Sequence, residues 1–336
     1  MRLYRLPTTG SIDALTLVEE DMPRPGRGQV LVRMRAASLN YRDIMIAMGR
    51  YARGGLRDNL VPLSDGAGEV VEVGDDVTRV KPGDRVAGIF LQSWLGGEAS
   101  DIDGESALGG SRHGVLAQYV VFDQSGLVRT PDHLSFEEGA TLPCAAVTAW
   151  NALYGLRPLQ SGQSVLALGT GGVAIFALQF AKAAGARAIA TSSSDEKLAR
   201  ATSLGASDGI NYRTMPDWQH EARRLTGGRG VDHVIEVAGA GTLPRSIAAA
   251  RLGGAIHLIS ARTGGEIDPA PILRRNITLR GVYVGSRETF EAMNRAISWH
   301  GLKPAIDRIF PFEEAKAAYR YLDSQAHVGK VVIEIS

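Results

Sequence analysis

Residues 164–197 constrain the fold of this chain more than any other stretch. A short apolar run over residues 164–168 ends in Gly169-Thr170-Gly171-Gly172-Val173-Ala174. Behind it Val173, Phe176, Ala177, Phe180, Ala181 and Ala184 recur at three- and four-residue steps, the spacing of one helix face. Gly185 is placed to end that helix as its C′ residue, and a second strand is expected over residues 188–191. Strand, glycine turn, helix and strand, with G-x-G-x-x-A at the turn, is the pattern of a dinucleotide-binding unit. Gly169 permits the tight exit from the strand, Gly171 lets backbone approach a pyrophosphate, and Ala174 lets the helix pack closely on the sheet. The N–H groups and dipole at the helix start then favour the phosphates.

The end of the second strand discriminates between the two dinucleotides. An NAD site usually carries a carboxylate there, about 20 residues past the turn, to hold the ribose 2′-hydroxyl. Here the strand runs into Thr191-Ser192-Ser193-Ser194, with no carboxylate before Asp195, and Lys197 and Arg200 follow. Hydroxyl donors and a nearby cation suit a 2′-phosphate, so NADP(H) is the expected cofactor. Ser194 is equally suited to cap the next helix, with Asp195 and Glu196 in its first turn.

A length of 336 residues suggests two domains. A formal net charge of +1 gives no basis for a nucleic-acid or membrane partner. No apolar run approaches the roughly 18 residues of a membrane span, and the N-terminal residues lack the apolar core of a signal peptide. The single cysteine, Cys144, excludes an internal disulfide framework and any multi-cysteine zinc finger. A cytoplasmic protein is expected.

The first 140 or so residues read as short strands with turns, at residues 30–36, 68–74, 81–87 (a turn opening into a strand) and 117–121, punctuated by Gly and Pro. That pattern suggests a small barrel-like β domain. Residues 92–114 form a long loop rich in Gly and Ser, either a solvated excursion or a lip over the active site. From residue 164 to 284 strands and helices alternate, with further strands expected at residues 231–237, 255–259 and 279–284, which argues for a parallel doubly wound sheet. Residues 287–336 read as two amphipathic helices and a strand over residues 330–335. The fold class is therefore α/β with a second, β-rich domain.

Asn40-Tyr41-Arg42-Asp43, Asp65-Gly66-Ala67-Gly68-Glu69-Val70, Pro82-Gly83-Asp84-Arg85-Val86, Gly169-Thr170-Gly171-Gly172-Val173 and His327-Val328-Gly329-Lys330 carry a resemblance. Together they make the chain similar to the medium-chain dehydrogenase/reductase superfamily over nearly its whole length. The resemblance implies a GroES-like catalytic domain over residues 1–140 and 287–336. A Rossmann NADP-binding domain over residues 141–286 would be inserted into it, with the active site in the cleft. It also implies a homodimer or homotetramer, formed by pairing edge strands such as residues 279–284. Zinc-dependent members hold their metal from three places. Here those places carry Asn40, Ser64 and Cys144, with Asp65 following Ser64. Catalytic zinc needs about three protein ligands, so no metal is expected.

Without a Lewis acid, alcohol oxidation loses its alkoxide stabiliser. Hydride transfer to an electron-poor acceptor remains feasible, and the chain is similar to the zinc-free quinone oxidoreductases and enoyl reductases. That similarity implies reduction of a small-molecule quinone or α,β-unsaturated carbonyl. Asn40 is the candidate oxyanion donor and Tyr41 the candidate proton donor, with Arg42 and Asp43 acting on substrate or fixing their loop. For the cofactor the resemblance implies Gly169, Gly171, Gly172 and Val173 at the pyrophosphate, and Ser192, Ser193, Lys197 and Tyr212 at the 2′-phosphate. Thr148 would face the nicotinamide, Lys330 would reach a phosphate, and Ala238, Ile259, Ser260, Ala261, Val284 and Ser286 would line the groove. Tyr212 is also placed to be a core residue. A zinc-free alcohol dehydrogenase or ketone reductase, and a non-catalytic NADPH-binding protein, are the alternatives.

Overall fold

The computed structural model describes residues 1–51, 55–260 and 263–336. These form two compact units: Met1–Val147 together with Val284–Ser336, and Thr148–Tyr283.

The first unit is β-rich. Its strands are β1 (Arg2–Arg5), β2 (Thr16–Glu19), β3 (Gln29–Ser38), β4 (Asp65–Val73), β5 (Arg85–Gly88), β6 (Tyr119–Asp123), β7 (Leu127–Arg129), β14 (Ile306–Pro311) and β15 (Lys330–Glu334). β3 is the organising strand. β4 runs antiparallel along one edge, while β6 and β15 share the other, β6 at residues 29–33 and β15 at residues 36–38. Val30, Val32 and Met34 alternate inward, whereas Ala36, Ala37 and Ser38 are all buried where β4 and β15 close over them. Helices α1 (Tyr41–Ala47), α10 (Arg287–His300) and α11 (Ala315–Asp323) belong to this unit with the short turns α2 (Asp101–Gly104) and α3 (Phe136–Ala140). Ile44, Ile46, Phe312, Tyr319 and Ile333 pack into one core with the β3 side chains. β14 escaped the sequence reading because only Phe310 of its six residues is buried and the strand carries no clean alternation.

Residues 141–147 and 284–286, expected with the second unit, cluster with the first. The reason is local: a π-helical turn at Leu142–Ala146 brings the Cys144 N–H to the Asp65 carboxylate of β4 at 3.0 Å. Val284 leaves the extended region at φ +50°, and Ser286 caps α10 by accepting the Thr289 N–H at 3.2 Å.

The second unit is a six-stranded parallel sheet of β8 (Ser164–Leu168), β9 (Arg187–Ser192), β10 (Asp208–Asn211), β11 (Val231–Glu236), β12 (Ala250–Leu258) and β13 (Thr278–Gly281). The order is β10-β9-β8-β11-β12-β13. Strand order therefore reverses between β8 and β11, the position where doubly wound sheets bind ligands. α4 (Val147–Tyr154) is followed by α5 (Gly172–Ala183), α6 (Asp195–Ser203), α7 (Trp218–Leu225), α8 (Leu243–Ala249) and α9 (Ala270–Arg274). β8 and β11 are buried throughout, as strands covered on both faces must be. The GroES-like β-rich unit and the Rossmann-type parallel sheet agree with the fold class expected from sequence. β13 is shorter than the expected strand and ends at Gly281.

Candidate dinucleotide site and buried polar cluster

The glycine turn of the second unit has the geometry its sequence requires. Gly169 takes φ +79°, which only glycine adopts without strain, and its N–H donates to Thr191 Oγ1 at 3.2 Å. Gly171 is the N-cap of α5. A Cβ on Gly171 would meet nothing within 4 Å, so the backbone there faces open space that a pyrophosphate can approach. Gly172 and Val173 form the first turn of this twelve-residue helix, and Ala174 is buried against the sheet. These residues fit a dinucleotide.

At the end of β9, Ser192 is buried, and Ser194 caps α6 by accepting the Lys197 N–H at 3.3 Å. The Asp195 carboxylate is engaged by Asn211 Nδ2 at 2.7 Å. Tyr212 follows β10, which lies beside β9 with Asn211 opposite Ser192, and its N–H donates to Ser192 O at 2.9 Å. At 42% exposure Tyr212 is not core packing. The fold thus gathers Ser192, Ser193, Lys197 and Tyr212 at one corner of the sheet. Thr148 is buried on α4. Ala238 lies in the β11–α8 loop, which the buried Glu236 carboxylate organises. Glu236 accepts from Ala238 N at 2.9 Å, Gly239 N at 3.2 Å, Thr242 Oγ1 at 2.7 Å and Ser246 Oγ at 2.6 Å. Sequence reasoning passed over Glu236, although a glutamate ending an apolar strand was a visible signal. Ile259 donates its N–H to Glu236 O at 2.9 Å and Ser260 follows it, while Ala261 lies outside the described residues. Val284 and Ser286 belong to the first unit.

In the first unit, Asn40 begins α1, and the Asp43 carboxylate turns back to accept the Asn40 N–H at 2.7 Å. Arg42 donates to the Leu108 carbonyl at 2.8 Å, and its guanidinium stacks 4.6 Å from the Phe90 ring centroid and 5.2 Å from that of Tyr51. Arg42 therefore ties down the 92–114 loop, a different loop from its own, which sequence reasoning had it fixing together with Asp43. Tyr41 is the first residue of α1 and is half-buried.

Asp65 is fully buried at the start of β4. One of its oxygens accepts Ser64 Oγ–H at 2.6 Å and the other accepts the Cys144 N–H at 3.0 Å. The Asn40 amide faces it without a well-aligned hydrogen bond. Lys330, also buried, donates its ammonium to Leu39 O at 2.5 Å and to Asn40 Oδ1 at 2.6 Å. Burial raises the Asp65 carboxyl, against the Lys330 charge and its hydrogen bonds. Burial likewise pushes Asp43 up to about 6, opposed chiefly by the Arg42 guanidinium. Burial and the Asp65 charge hold the Cys144 thiol well above its usual range.

The family model described as alcohol dehydrogenase GroES-like domain matches residues 26–132, and the one described as zinc-binding dehydrogenase matches residues 172–299. A zinc-type alcohol dehydrogenase-like protein of Schizosaccharomyces pombe is 47% identical over 332 residues, covering 96% of each chain. The chain is a medium-chain dehydrogenase/reductase. The quinone oxidoreductase of Homo sapiens is 27% identical over 344 residues, covering 99% of this dehydrogenase/reductase and 97% of its own length. A putative alcohol dehydrogenase from Sinorhizobium meliloti 1021 has a TM-score of 0.93 at 41% identity, covering 99% and 98% of the two chains. Two further solved structures cover this whole chain. An NAD-dependent alcohol dehydrogenase gives a TM-score of 0.91 at 34% identity with 100% of its own chain covered. A crotonyl-CoA carboxylase/reductase in complex with NADP gives 0.85 at 28% identity with 95% covered.

The zinc in one family description finds no fitting ligand set in this oxidoreductase. Among the described residues no three His, Cys, Asp or Glu side chains converge to hold a metal. Asn40, which stands at the first ligand position by resemblance, already has an ammonium on its oxygen.

Proposed function

We propose that the chain is an NADPH-dependent reductase that works without a metal and transfers hydride to a quinone or to the β-carbon of an α,β-unsaturated carbonyl. The observation that carries this reading is the cluster in which the half-buried Asn40 and Cys144 meet the buried Asp65 and Lys330. Its positive charge comes from an ammonium on β15, and its thiol stays protonated. When bound, the reduced nicotinamide supplies a hydride. A site with no Lewis acid favours acceptors whose reduced anion is delocalised, as a hydroquinone anion or an enolate is. Asn40 donates its amide N–H to the oxygen on which that charge develops. Tyr41 returns the proton.

For the cofactor, Gly169 to Val173 hold the pyrophosphate, and Ser192, Ser193, Lys197 and Tyr212 hold the 2′-phosphate. Relatives of both cofactor types exist, so the choice of NADPH rests on this chain's own corner. There the Asp195 carboxylate is engaged by Asn211, and Ser192, Ser193 and Lys197 supply hydroxyls and a positive charge. The edge strand β13 pairs with its copy in a homodimer or homotetramer.

The alcohol dehydrogenase names among the relatives favour a second reading, direct reduction of C=O. A small enone with excess NADPH and a chelator separates the two, with the product identified by mass spectrometry or NMR. A saturated ketone is expected. An allylic alcohol would replace the first reading with the second.

A further inference from the structure

We infer that Lys330 is a positioning residue that fixes which end of the Asn40 amide serves as a donor. The inference rests on the reductase reading for its meaning but stands on geometry of its own.

An ammonium donates three hydrogens and accepts none. Lys330 gives one to the Leu39 carbonyl and one to Asn40 Oδ1, at 2.5 and 2.6 Å. A primary amide has two nearly isosteric ends, one accepting and one donating. Turning the Asn40 amide over would set NH2 against NH3⁺, losing a charge-assisted bond and placing donor against donor. Oδ1 is therefore held on Lys330, and Nδ2 is directed to the Asp65 side, shielded from water and without a well-aligned acceptor. An amide NH2 carries two hydrogens, so with one turned toward the Asp65 carboxylate the other is left to give.

The arrangement is built into the strands. Val332 of β15 lies opposite Ser38 of β3, and Leu39 N donates to Val331 O at 3.0 Å, so the pairing carries Lys330 alongside residues 39–40. Gly329 takes φ +82° and packs where a Cβ would strike Ala305 O at 2.2 Å, which fixes the backbone entering Lys330. The charges of Asp65 on β4 and Asp43 on α1 both act with the ammonium's, and Arg42 supplies the second cation. The cluster thus has two cations and two carboxylates. By family resemblance Lys330 would instead reach a cofactor phosphate. In the structure two of its three hydrogens are committed inside the first unit.

The test uses full-length Lys330→Met, Lys330→Gln, Lys330→Arg and Asn40→Ala, together with the double variant Asn40→Ala/Lys330→Met. NADPH binding is followed by cofactor fluorescence without turnover. Lys330→Met is expected to bind NADPH within twofold of the parent while kcat on the enone falls at least tenfold, with Lys330→Arg restoring most of it. The double variant is expected to fall no further than the deeper single variant. A tenfold loss of NADPH affinity with kcat unchanged at saturation would overturn the inference in favour of a phosphate contact, and multiplicative losses in the double variant would overturn it as well. A side-chain amide spectrum of ¹⁵N-labelled protein keeps the test independent of activity and of the folding of the methionine variant. The Asn40 NH2 pair, assigned by its loss in Asn40→Ala, is expected to shift and exchange faster in Lys330→Gln. An unmoved pair sinks the inference even in an active enzyme. A moved pair in a protein inert toward enones and quinones upholds it while the reductase reading fails.

Discussion

One phosphate distinguishes NADPH from NADH, so discrimination between them is a matter of a few side chains at the end of β9. Ser194 and Lys197 sit three residues apart there and do separable jobs. Ser194 caps α6 through the Lys197 N–H, and replacing it by alanine is expected to cost about 1 kcal/mol of stability while weakening both cofactors alike. The Lys197 side chain instead supplies a charge. Lys197→Ala is expected to weaken NADPH roughly tenfold, about 1.4 kcal/mol, and to leave NADH within about twofold. Titrations of both dinucleotides against the two variants decide this, and equal weakening by Lys197→Ala would contradict the assignment.

Among the secondary elements, β11 and β12 carry a feature the proposed chemistry does not use. His233 and His257 are stacked 7° from parallel, with Nδ1 of the first 3.1 Å from Nε2 of the second. Gln163 Oε1 accepts the Gln160 N–H at 3.0 Å and lies 3.2 Å from His233 Nε2, so that nitrogen carries the proton. His257 Nε2–H then donates to His233 Nδ1, and both rings are neutral. Burial depresses His233 to about 4 and His257 to about 3, with the charges of Arg157, Arg251 and Arg280 acting the same way and Asp232 opposing at His233. The unfolded chain therefore takes up these protons first as pH falls. This contribution to stability is complete above the ordinary imidazole value near 6.5 and is lost as pH drops toward 4. Urea unfolding of the parent and of His257→Gln from pH 7.5 to 4.5 is expected to show a shallower acid decline in the variant. Parallel slopes would mean that the pair does not titrate this way.

The same elements show what a sequence exposes and what it hides. α5, its glycine turn and its Gly185 terminus were legible because every signal lies within one short stretch, residues 169–185. Ser194 as a cap was legible for the same reason. The histidine partners lie 24 residues apart on two strands, and only the sheet register pairs them. β14 was hidden because its side chains are unpatterned and only Phe310 is buried. The role of Arg42 depends on a carbonyl 66 residues away. Asn40 and Lys330 were each singled out, but what joins them is the pairing of β15 with β3.

Among the described residues each unit has a hydrophobic core of its own. Leu166, Ile189, Ile210, Val234, Ile256 and Trp218 belong to that of the second, whose buried members all lie within residues 148–283. The fragment of residues 148–283 is therefore expected to fold alone, with a cooperative urea transition and retained helix and strand signals in circular dichroism. An unstructured fragment would show that this core needs the first unit to form.

The insertion also sets an order of events during synthesis. Lys330 emerges from the ribosome 290 residues after Asn40, roughly 15 to 60 seconds later at ordinary elongation rates. Meanwhile residues 148–283 are complete and free to collapse, whereas β3 waits with part of one edge open and Asn40 waits without its cation. A nascent or prematurely terminated chain can thus carry a finished parallel sheet and still lack an ordered Asn40 amide. Translation itself withholds the proposed chemistry until β15 has been made.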